Sequence, residues 1–207
     1  MSLSPDFSFE LAASANGGVR VAGVDEVGRG PLSGPVVAAA VWLNPDDIPV
    51  GLNDSKKLNR ETRDVLADQL WQRADVSVGQ ASVDEIDDIN ILHASMLAME
   101  RAVAGLAVKA EHVLVDGNRI PPGLTGKATA IVKGDARSLS IAAASVVAKV
   151  WRDRLMVDLA QQHPGYGWER NAGYPTKEHQ LALRDLGVTP HHRRSFKPVH
   201  NILYQEK

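Results

Sequence analysis

Asp25 and Glu26 stand side by side at the end of an apolar β-type run, Val21-Ala22-Gly23-Val24, and lead at once into Val27-Gly28-Arg29-Gly30. Adjacent carboxylates repel, and each raises the other's pKa unless a cation neutralises the pair. A bound divalent metal is the simplest such cation. Gly28 and Gly30 leave backbone N–H groups open to close approach, and Arg29 offers a planar fork of donors suited to phosphate. Metal and phosphate together point to a nucleotide or a nucleic acid.

Two further acids fall where expected strands end, Asp116 in Val115-Asp116-Gly117 and Asp135 in Lys133-Gly134-Asp135. Taken singly, an Asp-Gly pair is an ordinary turn. Four such acids, two of them in tandem on a buried strand, favour a shared cleft instead. Hard oxygen ligands of this kind bind magnesium or manganese. Two such ions about 3.5–4 Å apart activate a water and stabilise the leaving oxygen in phosphoryl transfer.

Competing motifs fail on spacing. Gly28-Arg29-Gly30-Pro31-Leu32-Ser33-Gly34 has its third glycine one place late for a dinucleotide-binding turn, and a β-type run follows where that motif needs a helix. Gly123-Leu124-Thr125-Gly126-Lys127-Ala128 lacks the spacing and the Ser or Thr of a P-loop. Seven histidines include no His-Glu-x-x-His, so packing or surface roles are expected for them. Trp42, Trp71, Trp151 and Trp168 are scattered in a way that suits core packing better than a base-stacking platform.

The elements that must carry these residues are read from periodicity. Val19–Val24 and Pro35–Leu43 form an antiparallel pair across the Gly28–Gly34 turn, and Val76–Val83 adds a third strand. A helix from Asn59 to Arg73 has Asn59 as its cap and Val65, Leu66 and Leu70 as its apolar stripe. Ile91–Leu106 is a second amphipathic helix; strands His112–Gly117 and Ala128–Val132 follow. A long helix runs from Ser138 to Gln161, with Lys149 and Arg152 facing either the site or solvent. A last helix is capped by Thr176 and stopped at Gly187. The fold class is therefore α/β, a mixed five-stranded sheet flanked by helices.

Composition narrows the setting. At 207 residues, 44% hydrophobic and 23% charged, the chain is a globular, enzyme-sized unit, which disfavours disorder. No apolar run approaches the ~20 residues of a membrane helix, so no membrane partner is expected. Met1–Gly18 lacks the basic start and long apolar region of a secretory signal. The absence of cysteine excludes disulfides and thiolate metal sites and favours a cytoplasmic setting. A net charge of −2 is not the footprint of a general DNA-coating protein, but Lys56-Lys57 and His191–Lys197 are local basic clusters that suit a small groove.

Several motifs in order resemble those of bacterial ribonuclease HII: Asp25–Gly30, Asp54-Ser55-Lys56-Lys57-Leu58, Val115-Asp116-Gly117, Lys133-Gly134-Asp135, Ser140–Ser145 with Ala148-Lys149-Val150, Gly173-Tyr174-Pro175-Thr176 and His192–Phe196. The resemblance implies a ribonuclease H-like fold with a flexible tail at residues 1–18, a catalytic core at 19–163 and a helical C-terminal extension at 164–207 that contributes to substrate binding. It implies a monomeric endonuclease that cuts RNA in RNA–DNA hybrids and 5′ of ribonucleotides in duplex DNA, leaving 5′-phosphate and 3′-hydroxyl ends. Asp25, Glu26, Asp116 and Asp135 would be the catalytic acids holding Mg2+ or Mn2+. Gly28, Arg29 and Gly30 would contact the 2′-hydroxyl and Tyr174 the sugar at the RNA–DNA junction. Ser55, Lys56, Lys57, Arg193, Arg194 and Ser195 would contact phosphates, which position a duplex without reading its sequence. The rival readings are a metal-dependent DNA nuclease or recombinase of the same fold, which has no need to sense a 2′-hydroxyl, and a noncatalytic nucleic-acid-binding module, which has no need of four acids.

Overall fold

The computed structural model describes residues 4–14 and 19–204. Its centre is a five-stranded sheet in the order β3-β2-β1-β4-β5. The strands are β1 (Val21–Val27), β2 (Val36–Trp42), β3 (Asp75–Ala81), β4 (His112–Asp116) and β5 (Ala128–Ile131). β1, β2 and β3 form an antiparallel meander, whereas β4 and β5 join β1 in parallel, which makes the sheet mixed as the sequence suggests.

Both faces of the central strands are buried, so β2 reads Val-Val-Ala-Ala-Ala-Val-Trp with almost no polar interruption. Alternate residues face opposite ways. Ala22, Val24, Ala38 and Ala40 pack with Ala94, Ala98 and Ala102 of helix α3 (Val83–Ala104). Ala39 and Val41 face Ala143, Ala144 and Val147 of helix α4 (Leu139–Gln162), and Leu66 and Leu70 of α2 (Arg60–Arg73) close the same layer. Alanines on both partners let the helices lie close to the sheet. Asn59 caps α2 by accepting the Thr62 N–H at 2.8 Å, and Ser138 caps α4 by accepting the Ile141 N–H at 3.2 Å.

Some sequence expectations need correction. Val83 is the first residue of α3, not the last of a strand, because Ser82 and Glu85 form a capping box that starts the helix there. The helix expected over Ile91–Leu106 is only the second part of α3, which ends at Ala104. Asn90 breaks it at φ 65°, and its Oδ1 re-caps the continuation by accepting the Leu92 N–H at 3.0 Å. Val65 lies outside the α2 stripe, 52% exposed. The expected flexible tail contains helix α1 (Ser8–Ser14), whose Glu10 is buried; residues 1–3 and 15–18 of that tail lie outside the described residues. The helix after Thr176, α6 (Lys177–Leu186), is not the last, since α7 (Lys197–Tyr204) follows and buries Val199 beside Leu32 and Leu183. A short helix, α5 (Trp168–Asn171), precedes α6. Among the described residues no helix is long and apolar enough to cross a membrane.

The approach of α4 to β1 has no slack at Gly23. A Cβ there would meet the Ser140 carbonyl carbon at 2.3 Å and the Ile141 nitrogen at 2.4 Å, both backbone atoms. Gly23→Ala is therefore expected to destabilise the protein by about 1–3 kcal/mol or more through forced separation of strand and helix. Urea denaturation measures it, and a midpoint equal to that of the parent would contradict the packing described.

Candidate active site

Backbone pairing brings the first acids together. β1 and β4 run parallel and pair through Val24 with Val115, so the next residues on the two strands are Asp25 and Asp116. Asp135 arrives from the far side of β5, where Lys133 adopts a left-handed conformation and Gly134–Ala136 makes one 3-10 turn. Asp116 fastens that turn by accepting the Gly134 N–H at 2.7 Å. Position 134 is tight, since a Cβ would meet Ile141 Cδ1 at 2.6 Å and that side chain would have to shift.

The acids are close enough to perturb one another. Burial first, and then the charges of Glu26, Asp116 and Asp135, push the Asp25 carboxyl well above the usual carboxylate range. Burial also raises Glu26 against the opposing pull of Arg29, whose Nη1 lies 3.2 Å from Glu26 Oε1. Asp135 is raised by burial and by Asp116 and Asp54, against Lys56, whose Nζ lies 3.6 Å from Asp135 Oδ2. Among the described residues no three His, Asp or Glu side chains are gathered tightly enough to hold an ion as they stand. Four carboxylates facing two side-chain cations leave the cleft short of positive charge, and an all-oxygen donor set of this kind fits a hard divalent ion.

The glycine-rich turn borders these acids. Gly28 has φ +94°, and a Cβ there would strike Arg152 Nε at 2.2 Å. Gly30 is exposed and bare toward Tyr174: a Cβ would lie 3.3 Å from the tyrosine ring, which is 42% exposed. Turn and ring therefore make one continuous surface. On the α3 side, Glu26, Arg29, Met96, Asp116, Asn118 and Arg119 line a cleft of about 340 Å3. Asn118 and Arg119 escaped the sequence reading, although their place directly after Asp116-Gly117 was the available signal.

A family model described as Ribonuclease HII matches residues 22–199. The chain belongs to the ribonuclease HII family. It is 69% identical over 202 residues to ribonuclease HII of Ruegeria pomeroyi, covering 98% of this chain and 86% of that one. Among solved structures, ribonuclease H2 from Pyrococcus horikoshii OT3 superposes with a TM-score of 0.76 at 30% identity, covering 89% of this chain and 97% of that one. A Bst RNase HIII in complex with Mn2+ shares the fold, with a TM-score of 0.73 at 20% identity over 95% of this chain and 73% of that one. As a ribonuclease HII family member the chain is an endoribonuclease.

The basic residues divide into two groups in this family member. Lys56 and Lys57 are exposed on a 3-10 turn that Asp54 caps by accepting the Lys56 N–H at 2.9 Å. Arg194 is exposed, and Asp87 accepts its N–H and that of Ser195, each at 2.9 Å, besides the Ser195 hydroxyl. Ser55 and Arg193 differ from the phosphate contacts expected of them. Ser55 is buried, and its Oγ accepts the Ser145 hydroxyl at 2.7 Å. Arg193 is fully buried and donates to the carbonyls of Gly28 (2.6 Å), Arg29 (3.0 Å) and Gly34 (3.0 Å), one bond from each guanidinium nitrogen, which turns the fork inward. Arg152, on α4, does the same for Ser33, Pro35 and Ala172. Burial pulls these guanidiniums down, Arg193 to about 9 and Arg152 to about 10, so both stay charged at neutral pH. Together they hold the glycine-rich turn from behind.

A carboxyl whose folded pKa lies above its unfolded value stabilises the fold while protonated, and that contribution is lost as pH rises through the folded value. In EDTA at neutral pH, Asp25→Asn is therefore expected to melt above the parent, by about 2–4 °C for each kcal/mol of strain relieved. The gap closes on acidification to about pH 4, near the unfolded value. Added magnesium is expected to stabilise the parent more than the variant. Thermal melts across that range check both statements, and a variant that melts below the parent in EDTA would contradict them.

Proposed function

We propose that this chain is a divalent-metal-dependent endonuclease that hydrolyses the RNA strand of RNA–DNA hybrids and incises 5′ of ribonucleotides embedded in duplex DNA. The carrying observation is the juxtaposition of an acid cleft with the Gly28–Gly30 turn and the Tyr174 ring: a place to cut beside a place to sense a sugar. Asp25, Glu26, Asp116 and Asp135 would hold Mg2+ or Mn2+. Such an ion, when bound, supplies an activated water and charge stabilisation at the leaving oxygen.

The remaining work falls to the chain. Water attacks phosphorus in line, the bond from phosphorus to the 3′ oxygen breaks, and the products carry a 5′-phosphate and a 3′-hydroxyl. The 2′-hydroxyl is a recognition mark here, the group that separates RNA from DNA. Backbone groups of Gly28, Arg29 and Gly30 approach it, and Tyr174 packs on the sugar at the junction, offering a flat apolar face and a hydroxyl. Lys56, Lys57, Arg194 and Ser195 lie on exposed segments suited to phosphates, so broad sequence tolerance is expected. The setting is a monomer in the cytoplasm. The manganese complex named for a Bst RNase HIII and the family membership support this reading.

The test compares three substrates in magnesium and in manganese: a duplex DNA with one ribonucleotide, an all-DNA duplex and a continuous RNA–DNA hybrid. Incision 5′ of the ribonucleotide and cutting of the hybrid are expected, with the all-DNA duplex intact. Asp25→Asn should lose about a hundredfold or more in kcat. Tyr174→Ala should lose about tenfold in preference for the ribonucleotide, with overall binding much less affected. Cleavage of the all-DNA duplex would favour a DNA nuclease, and binding without cleavage in either metal a noncatalytic module.

A further inference from the structure

Glu10 lies outside the stretch matched by the family model, on a helix of seven residues, yet it is only 2% exposed. Its Oε1 accepts three hydrogen bonds from the start of α4: the Ser138 hydroxyl at 2.5 Å, the Ser140 N–H at 2.8 Å and the Ser140 hydroxyl at 2.6 Å. The Ser140 N–H is one of the donors that the first turn of a helix leaves without an intrahelical partner, and a carboxylate is the acceptor that the positive helix end favours. Glu10 thus finishes the capping of α4 that Ser138 begins.

The same contact reaches the acid cleft. Three residues before Ser138 stands Asp135, and the Ser138 N–H donates to the Gly134 carbonyl at 2.8 Å, closing the turn that presents the acid. The N-terminal segment grips that turn at further points. The Asp6 N–H donates to the Arg137 carbonyl at 3.1 Å, the Leu139 N–H donates to the Asp6 carbonyl at 3.0 Å, and the Arg137 guanidinium lies 4.8 Å above the Phe9 ring. On the other side, Asp116 holds the Gly134 N–H. The Asp135 turn is therefore held between a strand-end acid and α1.

We infer that Glu10 is a positioning residue for the nuclease reaction: through Ser138 and Ser140 it fixes the 3-10 turn that carries Asp135, and with it the place of that carboxylate in the metal-binding group. The inference rests on the proposed role of Asp135 as a metal-holding acid. Without Glu10 the first turn of α4 loses an acceptor for three donors, and the Asp135 turn, still bonded to Asp116 and to the Asp6 backbone, loses the carboxylate that fixes Ser138 and Ser140 behind it. Among the described residues Glu10 makes no hydrogen bond to Asp25, Glu26 or Asp116, nor to the exposed basic segments.

The experiment titrates manganese into the full chain by calorimetry and measures cleavage of the single-ribonucleotide duplex for the parent, Glu10→Ala, Glu10→Gln and Asp135→Asn. Loss of a group that orients a metal ligand commonly costs ten- to a hundredfold in affinity or activity. Glu10→Ala is expected to weaken manganese binding about tenfold or more and to lower kcat with KM for the duplex unchanged. Glu10→Gln keeps an oxygen for Ser138 and Ser140 and should recover most of the affinity. In the Asp135→Asn background, adding Glu10→Ala should cost nothing further. Should Glu10→Ala not fold, Ser140→Ala, which removes one of the three donors, is expected to weaken manganese binding in the same direction. Unchanged manganese binding and kcat in a Glu10→Ala protein that merely melts earlier, or in Ser140→Ala where Glu10→Ala does not fold, would overturn the inference. If Asp135→Asn itself leaves manganese binding and cleavage intact, the proposed role of Asp135 fails instead.

Discussion

Like charges do not gather unaided, and this molecule is arranged around forcing four carboxylates into one cleft. Side-chain attraction cannot assemble them, since Asp25, Glu26 and Asp135 are all disfavoured in their charged forms there. Backbone geometry does it instead. Parallel pairing of β1 with β4 fixes two acids on adjacent strands, and the left-handed Lys133 turns the chain so that a third comes back beside them. The energy required comes from the apolar layers on either side of the sheet, whose burial is indifferent to the charge at its edge. Arg29 and Lys56 offset part of the repulsion from its exposed rim.

Behind the glycine-rich turn the problem is reversed, because two buried cations hold the backbone there. Each is satisfied by three carbonyls rather than by an acid, so neither neutralises a carboxylate that the cleft needs. The adjoining histidines avoid adding charge. His179 Nδ1 faces the Tyr174 carbonyl at 3.0 Å and must donate to it, leaving Nε2 to accept the Trp168 N–H at 3.0 Å. His192 Nδ1 accepts the Thr189 N–H at 3.0 Å, so its own Nε2 carries the proton that meets His179 Nε2 at 3.1 Å. Both rings are neutral in this pattern, and burial pulls His192 down to about 3. Tyr174 is thereby anchored through its carbonyl while its ring stays exposed.

Much of this was legible in the residues. The strands were readable because alternation and apolar runs report burial directly, and the caps Asn59, Ser138 and Thr176 because a short polar side chain before a helical run has one physical use there. The four acids stood out from their places at or after expected strand ends, although Asp25 and Glu26 lie within β1, which runs on to Val27, and Asp135 sits on the turn after β5. What escaped depends on distant partners. Nothing local separates Arg193 from Arg194, yet one is entirely buried and the other exposed, since only the return of the chain beneath Gly28–Gly34 decides which side chain turns inward. Helix α1 escaped because seven residues have too little periodicity to stand out, and its reason to fold is a serine pair some 130 positions later. Asn90 hid the first half of α3 by interrupting the period that marks a helix.

The bonds from Arg193 to the glycine-rich turn span 159 to 165 positions. A chain leaving the ribosome has therefore made every strand and all four acids before the residue that fastens the turn exists. At about 5–20 residues per second, the interval between the synthesis of Asp135 and that of Arg193 is several seconds. The centre of the sheet can condense during that time, while the surface proposed to meet a sugar waits until Arg193 has been made. Birth order thus separates the two halves of the proposed site: the acids come first, and the turn proposed to give them a target is fastened later.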